Sequence, residues 1–217
     1  MKKILLTDIA DMFTGMVLPK ERKIADSQLS ENNNSPFEKN TKKEYKIINI
    51  ADIDDDGNIS KSLYGMNLDD SEKVKKYLVK FNNILISSRG TKLKTAIVPM
   101  SVKNNTLISS NLICIQIKEK AEYPCEILNF FLRSEYGENA LKKLSEASGG
   151  IVNLNQRVLS ALELPFFEDS SERENMLNAI KALNDIKNLF TEQKNTFLSV
   201  EKTIEAEYLK EYENKSE

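Results

Sequence analysis

Short runs of apolar and β-branched residues in the middle of the chain predict a set of β-strands. The runs are separated by turn-forming residues, such as Asp56-Gly57 and Asn104-Asn105, or end at a proline. The stretches with this pattern are Tyr45–Ile53, Ile84–Ile86, Lys94–Val98, Leu112–Ile117 and Ala161–Phe167. We therefore expect a sheet in this part of the chain.

Apolar residues spaced three or four positions apart predict helices on both sides of these strands. The first pattern is closed by Gly15, and the second has Ser71 as its expected N-cap. A third helix has Phe131 and Leu132 on its apolar face. The predicted helical segments are a short helix at the start of 1–19 that ends at Gly15, then 71–78, a helix opened by Pro124, 138–146 and a short helix or turn at 155–159.

The residues from Phe166 onward contain neither glycine nor proline, and they predict one long helix. Ser171 and Glu174 form a capping-box pattern at its start. About 40 residues of α-helix measure roughly 60 Å, which is too long to pack only on the small domain before it. A hairpin of two shorter helices is the alternative, and the lack of a turn signal argues against it.

An apolar column that repeats every seven residues marks one face of this helix as an interface. A second column contains Ile180 and Tyr208 but is interrupted by Lys187, Lys194 and Glu201. We expect the chain to form a homodimer in which two such helices pack together. The residues predicted to lie in the dimer interface are Met176, Ile180, Leu183, Phe190, Phe197 and Ile204.

These patterns together predict an α+β fold. A single mixed α/β domain is expected at residues 1–167, followed at 168–217 by a long helix that forms a coiled coil with a partner. The polar segment 20–44 is expected to be a mobile surface loop, although its asparagines are also able to read adenine edges.

The composition excludes several kinds of chemistry. The chain has no histidine, which excludes Ser-His-Asp and Cys-His catalysis and every histidine metal site. It has no glycine-rich phosphate loop either, which argues against a stand-alone enzyme but does not exclude carboxylate or lysine chemistry. We expect no metal and no cofactor to be bound by this chain. Cys114 and Cys125 fit buried thiols. No apolar run approaches the ~20 residues that span a bilayer, so we expect a cytoplasmic protein.

The segment Asp52–Ile59 matches the first half of a calcium-binding loop. Its last ligand should be a bidentate glutamate, but that position holds Leu63. An acidic turn between strands is therefore the better interpretation.

Charge is distributed unevenly along the chain. The stretch from Lys73 to Lys118 holds nine Lys or Arg and no Asp or Glu, while the rest holds 22 basic and 33 acidic residues. A turn between two predicted strands concentrates hydroxyl and cationic groups that suit phosphate and base edges. The alternative is a solvated sheet edge on which lysine blocks pairing. The residues predicted to bind DNA are Ser88, Arg89, Gly90, Thr91, Lys92, Lys94, Lys103 and Asn104.

Several short motifs, in this order, resemble the specificity subunits of type I restriction–modification systems in their target-recognition part. One difference is that Phe166-Phe167 follows Pro165, where the family usually has Pro-Pro-Leu. The resemblance extends over nearly the whole chain. The motifs are Asp8-Ile9-Ala10 with Gly15, Ile84–Gly90, Ile108–Leu112, Phe131–Ser134, Ala147–Gly150, Asn155-Gln156 and Leu162–Pro165.

The resemblance implies a function in recognising double-stranded DNA at a bipartite, palindromic site. The family holds two recognition domains and two long helices, and this chain resembles one of each, a half subunit. It implies partner DNA methyltransferase subunits that bring S-adenosylmethionine and the catalysis, with or without a restriction subunit. A non-catalytic coiled-coil protein with a protein-binding head is the alternative, and salt-dependent DNA binding separates the two.

Overall fold

The structure of the chain is a computed structural model that describes residues 2–18, 42–145 and 151–214. The predicted surface loop up to residue 41 and the Ala147–Gly150 motif lie outside the described residues. The chain divides into two compact units, Met1–Phe167, here called the head, and Glu168–Glu217.

The head mixes strands and short helices, as the α+β prediction required. Its strands are β1 (Lys2–Leu5), β2 (Ala10–Thr14), β3 (Lys42–Ile48), β4 (Tyr64–Asp69), β5 (Ile84–Ser87), β6 (Arg89–Gly90), β7 (Thr95–Ile97), β8 (Thr106–Ile108), β9 (Leu112–Ile117), β10 (Val152–Asn153) and β11 (Glu163–Phe166). Its helices are α1 (Leu6–Ile9), α2 (Glu72–Lys75), α3 (Cys125–Arg133), α4 (Glu135–Leu144) and α5 (Gln156–Ser160). The long helix is α6 (Ser170–Asn214).

The larger sheet of the head is antiparallel and has the strand order β2-β9-β5-β7. Its central strand β5 is buried at every position, which explains its uninterrupted apolar sequence. Leu85 lies opposite Ala96 on one side and Cys114 on the other, and all three belong to the main core cluster. Burial of these side chains is the main source of the head's stability.

A smaller sheet has the order β4-β3-β8, with β3 and β8 parallel. Alternate residues of β3 point to opposite faces, so Tyr45 and Ile47 join a second apolar cluster with Leu107. The Tyr45 hydroxyl donates a 2.7 Å hydrogen bond to Asp70 Oδ1. Burial, and then this carboxylate, raise the pKa of Tyr45 to about 12.

The amino terminus differs from the short helix that was predicted to end at Gly15. Strand β1 pairs with β11, the single helical turn α1 follows, and all five residues of β2 pair with β9. Leu6 and Ile9, three positions apart, are both buried on α1, which accounts for part of the helical spacing. Pairing with strands that lie about 100 residues or more along the chain outweighed that local preference.

Other boundaries also shifted. The strand predicted at Tyr45–Ile53 ends at Ile48, because the Asp52 carboxylate accepts the Asn49 N–H at 2.7 Å and stabilises a 3-10 turn. The helix expected at 71–78 is only the four residues of α2, and Ser71 makes no side-chain capping bond. Strands β4 and β8 were not predicted; β4 contains Gly65 and Asn67, which are depleted in strands.

The helix after Pro124 is confirmed as α3, and the long helix is confirmed as one unbroken helix of 45 residues. The hairpin alternative is therefore wrong for this segment. Its length is about 68 Å at the standard rise. Among the residues that the structure describes, no helix combines the length and apolar character needed to cross a membrane.

Candidate nucleic-acid interface

The basic turn, residues 88–92, connects β5 to β7 at one end of the larger sheet. The Ser87 N–H donates to the Lys94 carbonyl at 2.9 Å, and the Lys94 N–H donates to the Ser87 hydroxyl at 2.9 Å. A single buried serine thus closes the turn with both its backbone and its side chain.

Strand β6 lies within the basic turn and fixes the backbone at Arg89. Arg89 pairs with Asn153 on β10, and Leu154 N–H donates to the Ser88 carbonyl at 2.7 Å. On the other side, the Ser88 N–H and hydroxyl donate to the Asn111 carbonyl at 2.9 and 3.1 Å. The Arg89 side chain itself is exposed. Because the backbone is already fixed, only the Arg89 side chain has to lose conformational freedom when it binds a ligand.

Gly90, Thr91 and Lys92 complete the turn. A Cβ at Gly90 would lie 2.9 Å from the Lys92 carbonyl oxygen, so a larger residue there would displace the turn. Thr91 and Lys92 are exposed. The structure thus places five of the predicted DNA-binding residues, 88–92, on one ordered surface turn.

Polar residues that were not among the predicted DNA-binding residues lie at the same end of the sheet. Antiparallel pairing brings the end of β2 and the start of β9 beside the end of β5. Asn111 precedes β9, Asn153 lies opposite Arg89, and Gln156 donates to the Thr14 hydroxyl at 3.4 Å. These residues come from three separate segments of the chain, so no local signal in the sequence could have grouped them.

Lys94 was predicted to hold a phosphate, but the structure gives its ammonium another partner. Lys94 Nζ donates a 2.5 Å hydrogen bond to the Ile53 carbonyl, and the side chain is half-buried. A charge-assisted bond of this kind anchors the neighbouring turn to β7. Lys94 therefore has a structural role that the sequence did not reveal.

The acidic turn at residues 54–58 lies on this side of β7. Arg133 donates to the Asp55 carbonyl at 2.7 Å and to the Thr95 carbonyl at 3.2 Å, which ties the turn to the strand. Burial acts to raise the pKa of Asp54, but hydrogen bonds from Asn58 and from backbone N–H groups lower it below its usual value overall. The resulting carboxylate charge opposes anion binding nearby and so limits the basic surface on that side.

Lys103 and Asn104 are not brought to the basic turn. They belong to the connection between β7 and β8, which leaves β7 at the end opposite the basic turn. Lys103 instead lines a cleft with Lys46 and Lys61. Of the eight predicted DNA-binding residues, five therefore lie on the basic turn and two lie at the opposite end of β7. The eighth, Lys94, is half-buried and bonds the Ile53 carbonyl.

The predicted dimer interface lies on α6. Leu183, Phe190, Phe197 and Ile204 are 39–68% exposed, while Ile180 is 6% exposed and Met176 is half-buried. Ile180 and Met176 therefore offer little free apolar surface, contrary to the expectation. Further exposed apolar residues lie three positions after Leu183 and Phe197, namely Ile186 and Val200. We call Leu183, Ile186, Phe190, Phe197, Val200 and Ile204 the apolar seam.

The apolar seam has the a/d spacing of a coiled coil. The second column predicted from the sequence lies four residues after the first and is interrupted by Lys187, Lys194 and Glu201. The exposed apolar residues Ile186 and Val200 lie three residues after the first column and were not predicted. Among the a and d positions from Leu183 to Ile204, Gln193 is the one polar residue. A nearly continuous apolar stripe in solvent calls for a partner surface.

Neither cysteine offers reactive chemistry. Cys114 and Cys125 are both buried, and burial raises the pKa of each thiol, that of Cys125 to about 12. Within the described ranges, no group of three or more Cys, Asp or Glu side chains is placed to hold a metal ion.

Comparison with solved structures places the fold among type I restriction–modification proteins. A chain from a structural study of the assembly and conformational transition of a type I restriction–modification complex matches with a TM-score of 0.53 at 13% identity. The match covers 85% of this chain and 38% of the solved chain. The HsdS subunit from Thermoanaerobacter tengcongensis matches with a TM-score of 0.50 at 14% identity, covering 85% of this chain and 37% of its own.

The S subunit from M. genitalium is also similar, with a TM-score of 0.48, 17% identity and coverage of 85% and 39% of the two chains. No protein-family profile and no curated protein matches the sequence. The two matches with TM-scores of 0.53 and 0.50 show that the chain has the fold of type I specificity subunits, as the sequence resemblance implied. The chain spans less than two fifths of the length of the solved chains that it matches.

Proposed function

We propose that the chain is a non-catalytic DNA-recognition component of a type I-like restriction–modification complex. It supplies one recognition head and one long helix, which is half of the arrangement expected for a specificity subunit. Its task is to direct methyltransferase subunits, with or without a restriction subunit, to a bipartite and palindromic site. The observation that supports this most strongly is the shared fold of the head followed by α6.

The basic turn is the surface we assign to base reading. Arg89 has a fixed backbone and an exposed guanidinium, and arginine is the side chain best suited to a bidentate contact with guanine. Asn111 and Asn153 beside it have the amide groups that pair with adenine. Lys92 suits a backbone phosphate, a contact that sets position but not sequence.

The apolar seam is the surface we assign to self-association. Two antiparallel copies of α6 would cover each other's exposed phenylalanines and aliphatic residues, and a twofold pair is the commonest closed assembly. Two identical heads held apart by a rigid spacer would then read two inverted copies of one short half-site. S-adenosylmethionine and the catalytic groups would belong to the methyltransferase partner, which acts with this chain on cytoplasmic DNA.

A selection experiment tests the proposal. The full chain, co-purified with the methyltransferase subunits proposed as its partners, is given a pool of random duplexes, and protected or methylated sequences are determined. We expect an interrupted palindrome whose central gap changes when α6 is lengthened by whole turns. An asymmetric target bound by this chain alone would refute the twofold arrangement.

Salt dependence separates DNA reading from the alternative, a head that binds protein. The affinity of the full chain for duplex DNA should fall steeply and linearly on a log–log plot as salt rises, because bound lysine and arginine displace counterions. A chain that forms the dimer but binds no duplex at low salt would favour the interaction protein instead.

A further inference from the structure

A second cationic site lies in the head, away from the residues of the basic turn. It is a cleft of about 410 Å³ between β3, the segment 59–63 and the connection from β7 to β8. Lys46, Lys61 and Lys103 line it, and no Asp or Glu of the described part of the chain does. We call these three lysines and their walls the basic cleft. Its apolar walls include Ile59 and Val102, which also pack on the main core, so the cleft is built on a rigid base.

The three lysines differ in how firmly they are held. Lys46 Nζ bonds Glu44 at 2.7 Å, and that bond, followed by the charges of Lys46 and Lys103, lowers the pKa of Glu44. Lys61 and Lys103 are exposed and have no ion-pair partner among residues 2–18, 42–145 and 151–208. The cleft therefore carries Lys61 without an ion pair in the described part of the chain, Lys103 with Glu44 within range of its charge but not in an ion pair, and Lys46 paired with Glu44 at the rim.

The loop that carries Lys103 is tied to the strand that carries Lys46. Asn105 Nδ2 donates to the Glu44 carbonyl at 2.8 Å, and the Lys46 N–H donates to the Asn105 carbonyl at 3.0 Å. These bonds fix the separation of the two lysine backbones. The cationic grouping is thus set by the fold and does not arise from the chance meeting of mobile side chains.

An independent observation points to a ligand in the basic cleft. Thr106 lines it, lies opposite Lys46 in the parallel β3–β8 pair, and is fully buried. Its hydroxyl has no hydrogen-bond partner within the described part of the chain. A buried hydroxyl without a partner is costly, so a molecule that accepts its proton in a bond would relieve that cost.

We propose that the basic cleft binds a phosphate group. A phosphate offers several strong acceptor oxygens, enough for the two free ammonium groups and the Thr106 hydroxyl together. Serine hydroxyls at Ser62 and Ser101 in the cleft wall add donors of the same kind. A carboxylate ligand fits the cleft less well than a phosphate, because it has fewer acceptor oxygens and because Lys46 is already paired with the Glu44 carboxylate at the rim. The phosphate has two sources, the backbone of a bound duplex or a free phosphate ion.

Titration of the full chain with inorganic phosphate tests the site itself. Thermal unfolding is measured in phosphate against chloride at equal ionic strength. We expect a saturable rise of about 3 °C at ten times the dissociation constant. The double variant Lys61→Ala/Lys103→Ala should abolish the rise, and Lys73→Ala/Lys76→Ala, which removes two exposed lysines that do not line the cleft, should keep it.

Two single variants predict opposite changes in phosphate affinity. Thr106→Val keeps the shape but removes the hydroxyl, so phosphate should bind at least fivefold more weakly while the melting temperature without phosphate stays equal or rises. Glu44→Gln removes the competing carboxylate and should tighten phosphate binding several-fold. Equal responses to phosphate in the wild type and in Lys61→Ala/Lys103→Ala would overturn the proposal.

Duplex binding then identifies the source of the phosphate. If it is a DNA backbone, Lys61→Ala/Lys103→Ala weakens binding to every duplex alike and lowers the salt slope by about two. If it is a free ion, duplex affinity is unchanged in that variant although the phosphate response is lost. A wild type that responds to phosphate but binds no duplex would refute the proposed function and leave the cleft assignment standing.

Discussion

The head and the long helix use the same kinds of side chain in opposite ways. In β5 of the head, Ile84, Leu85 and Ile86 are completely buried, whereas Leu183, Phe190 and Phe197 on α6 are 39–68% exposed. In the head, the larger and the smaller sheet contribute apolar residues to one shared core cluster, so each covers part of the other. A single helix has no second layer of its own, so its apolar face remains in solvent unless another molecule covers it.

This difference in burial indicates that the head and the long helix obtain their stability from different sources. The head should fold from its own core, while the seam contributes only when a partner is present, which makes that contribution depend on protein concentration. Mutations of similar residues should therefore have different consequences in the two regions. The following predictions begin with the largest expected effect.

Charge in the apolar seam should separate the two copies. Each of Phe190 and Phe197 loses roughly 1.5–3 kcal/mol of burial when uncovered, and the dimer contains each twice. We expect Phe190→Glu/Phe197→Glu to raise the dimer dissociation constant by about a thousandfold or more, as measured by sedimentation equilibrium. Asn188→Glu/Asn195→Glu, on exposed positions outside the seam, is the matched control and should remain dimeric. A wild type that is monomeric at tens of micromolar would contradict the seam as a self-association surface.

Removing a core side chain of the head should reduce its own stability and leave dimerisation intact. Leu85→Ala creates a cavity beside Ala96 and Cys114 and should lower the free energy of unfolding by about 2–5 kcal/mol. The same change at Leu198, which is 40% exposed and outside the seam, should change it by less than about 0.5 kcal/mol. Denaturant unfolding at fixed protein concentration gives both values. Equal losses at the two sites would remove the distinction between the regions.

Substitutions around the basic turn should distinguish residues that contact DNA from a residue that stabilises the head. Arg89→Ala should cost about 1–3 kcal/mol of discrimination between the target and a duplex with one altered base. Lys92→Ala should weaken all duplexes alike and lower the salt slope by about one.

Lys94→Ala, by contrast, should destabilise the head without lowering the salt slope, because its ammonium bonds the Ile53 carbonyl. Fluorescence anisotropy over a salt series measures the duplex affinity and the salt slope of each variant, and denaturant unfolding measures the stability of the head. If Lys94→Ala behaves like Lys92→Ala, the assigned anchoring role is wrong.

High pH should weaken the head through its buried tyrosines. Burial raises the pKa of Tyr45 and of Tyr123 to about 12. A folded-state pKa above the unfolded value of about 10 favours the neutral form, so this contribution is present below pH 10 and is lost as pH rises towards 12. The free energy of unfolding should therefore fall over that window, and it should fall less in Tyr123→Phe. An identical pH dependence in the variant would exclude Tyr123 as a contributor.

The sequence by itself determined the features that depend on near neighbours in the chain. The seven-residue repeat and the absence of glycine and proline predicted α6, because helical periodicity is a local property. The apolar runs predicted β5, β7 and β9, and Pro124 marked the start of α3. The same local information located the turn with Arg89, Thr91 and Lys92.

Only the tertiary structure decided which distant segments meet. Pairing with β11 and β9 made strands of the amino terminus, whose apolar spacing alone indicated a helix. Sheet order brought Asn153 opposite Arg89 and Thr106 opposite Lys46, and it gave Lys94 a carbonyl partner 41 residues away. Strand pairing joins residues by register across long loops, so its result depends on the packing of the whole head, which no short stretch of sequence encodes.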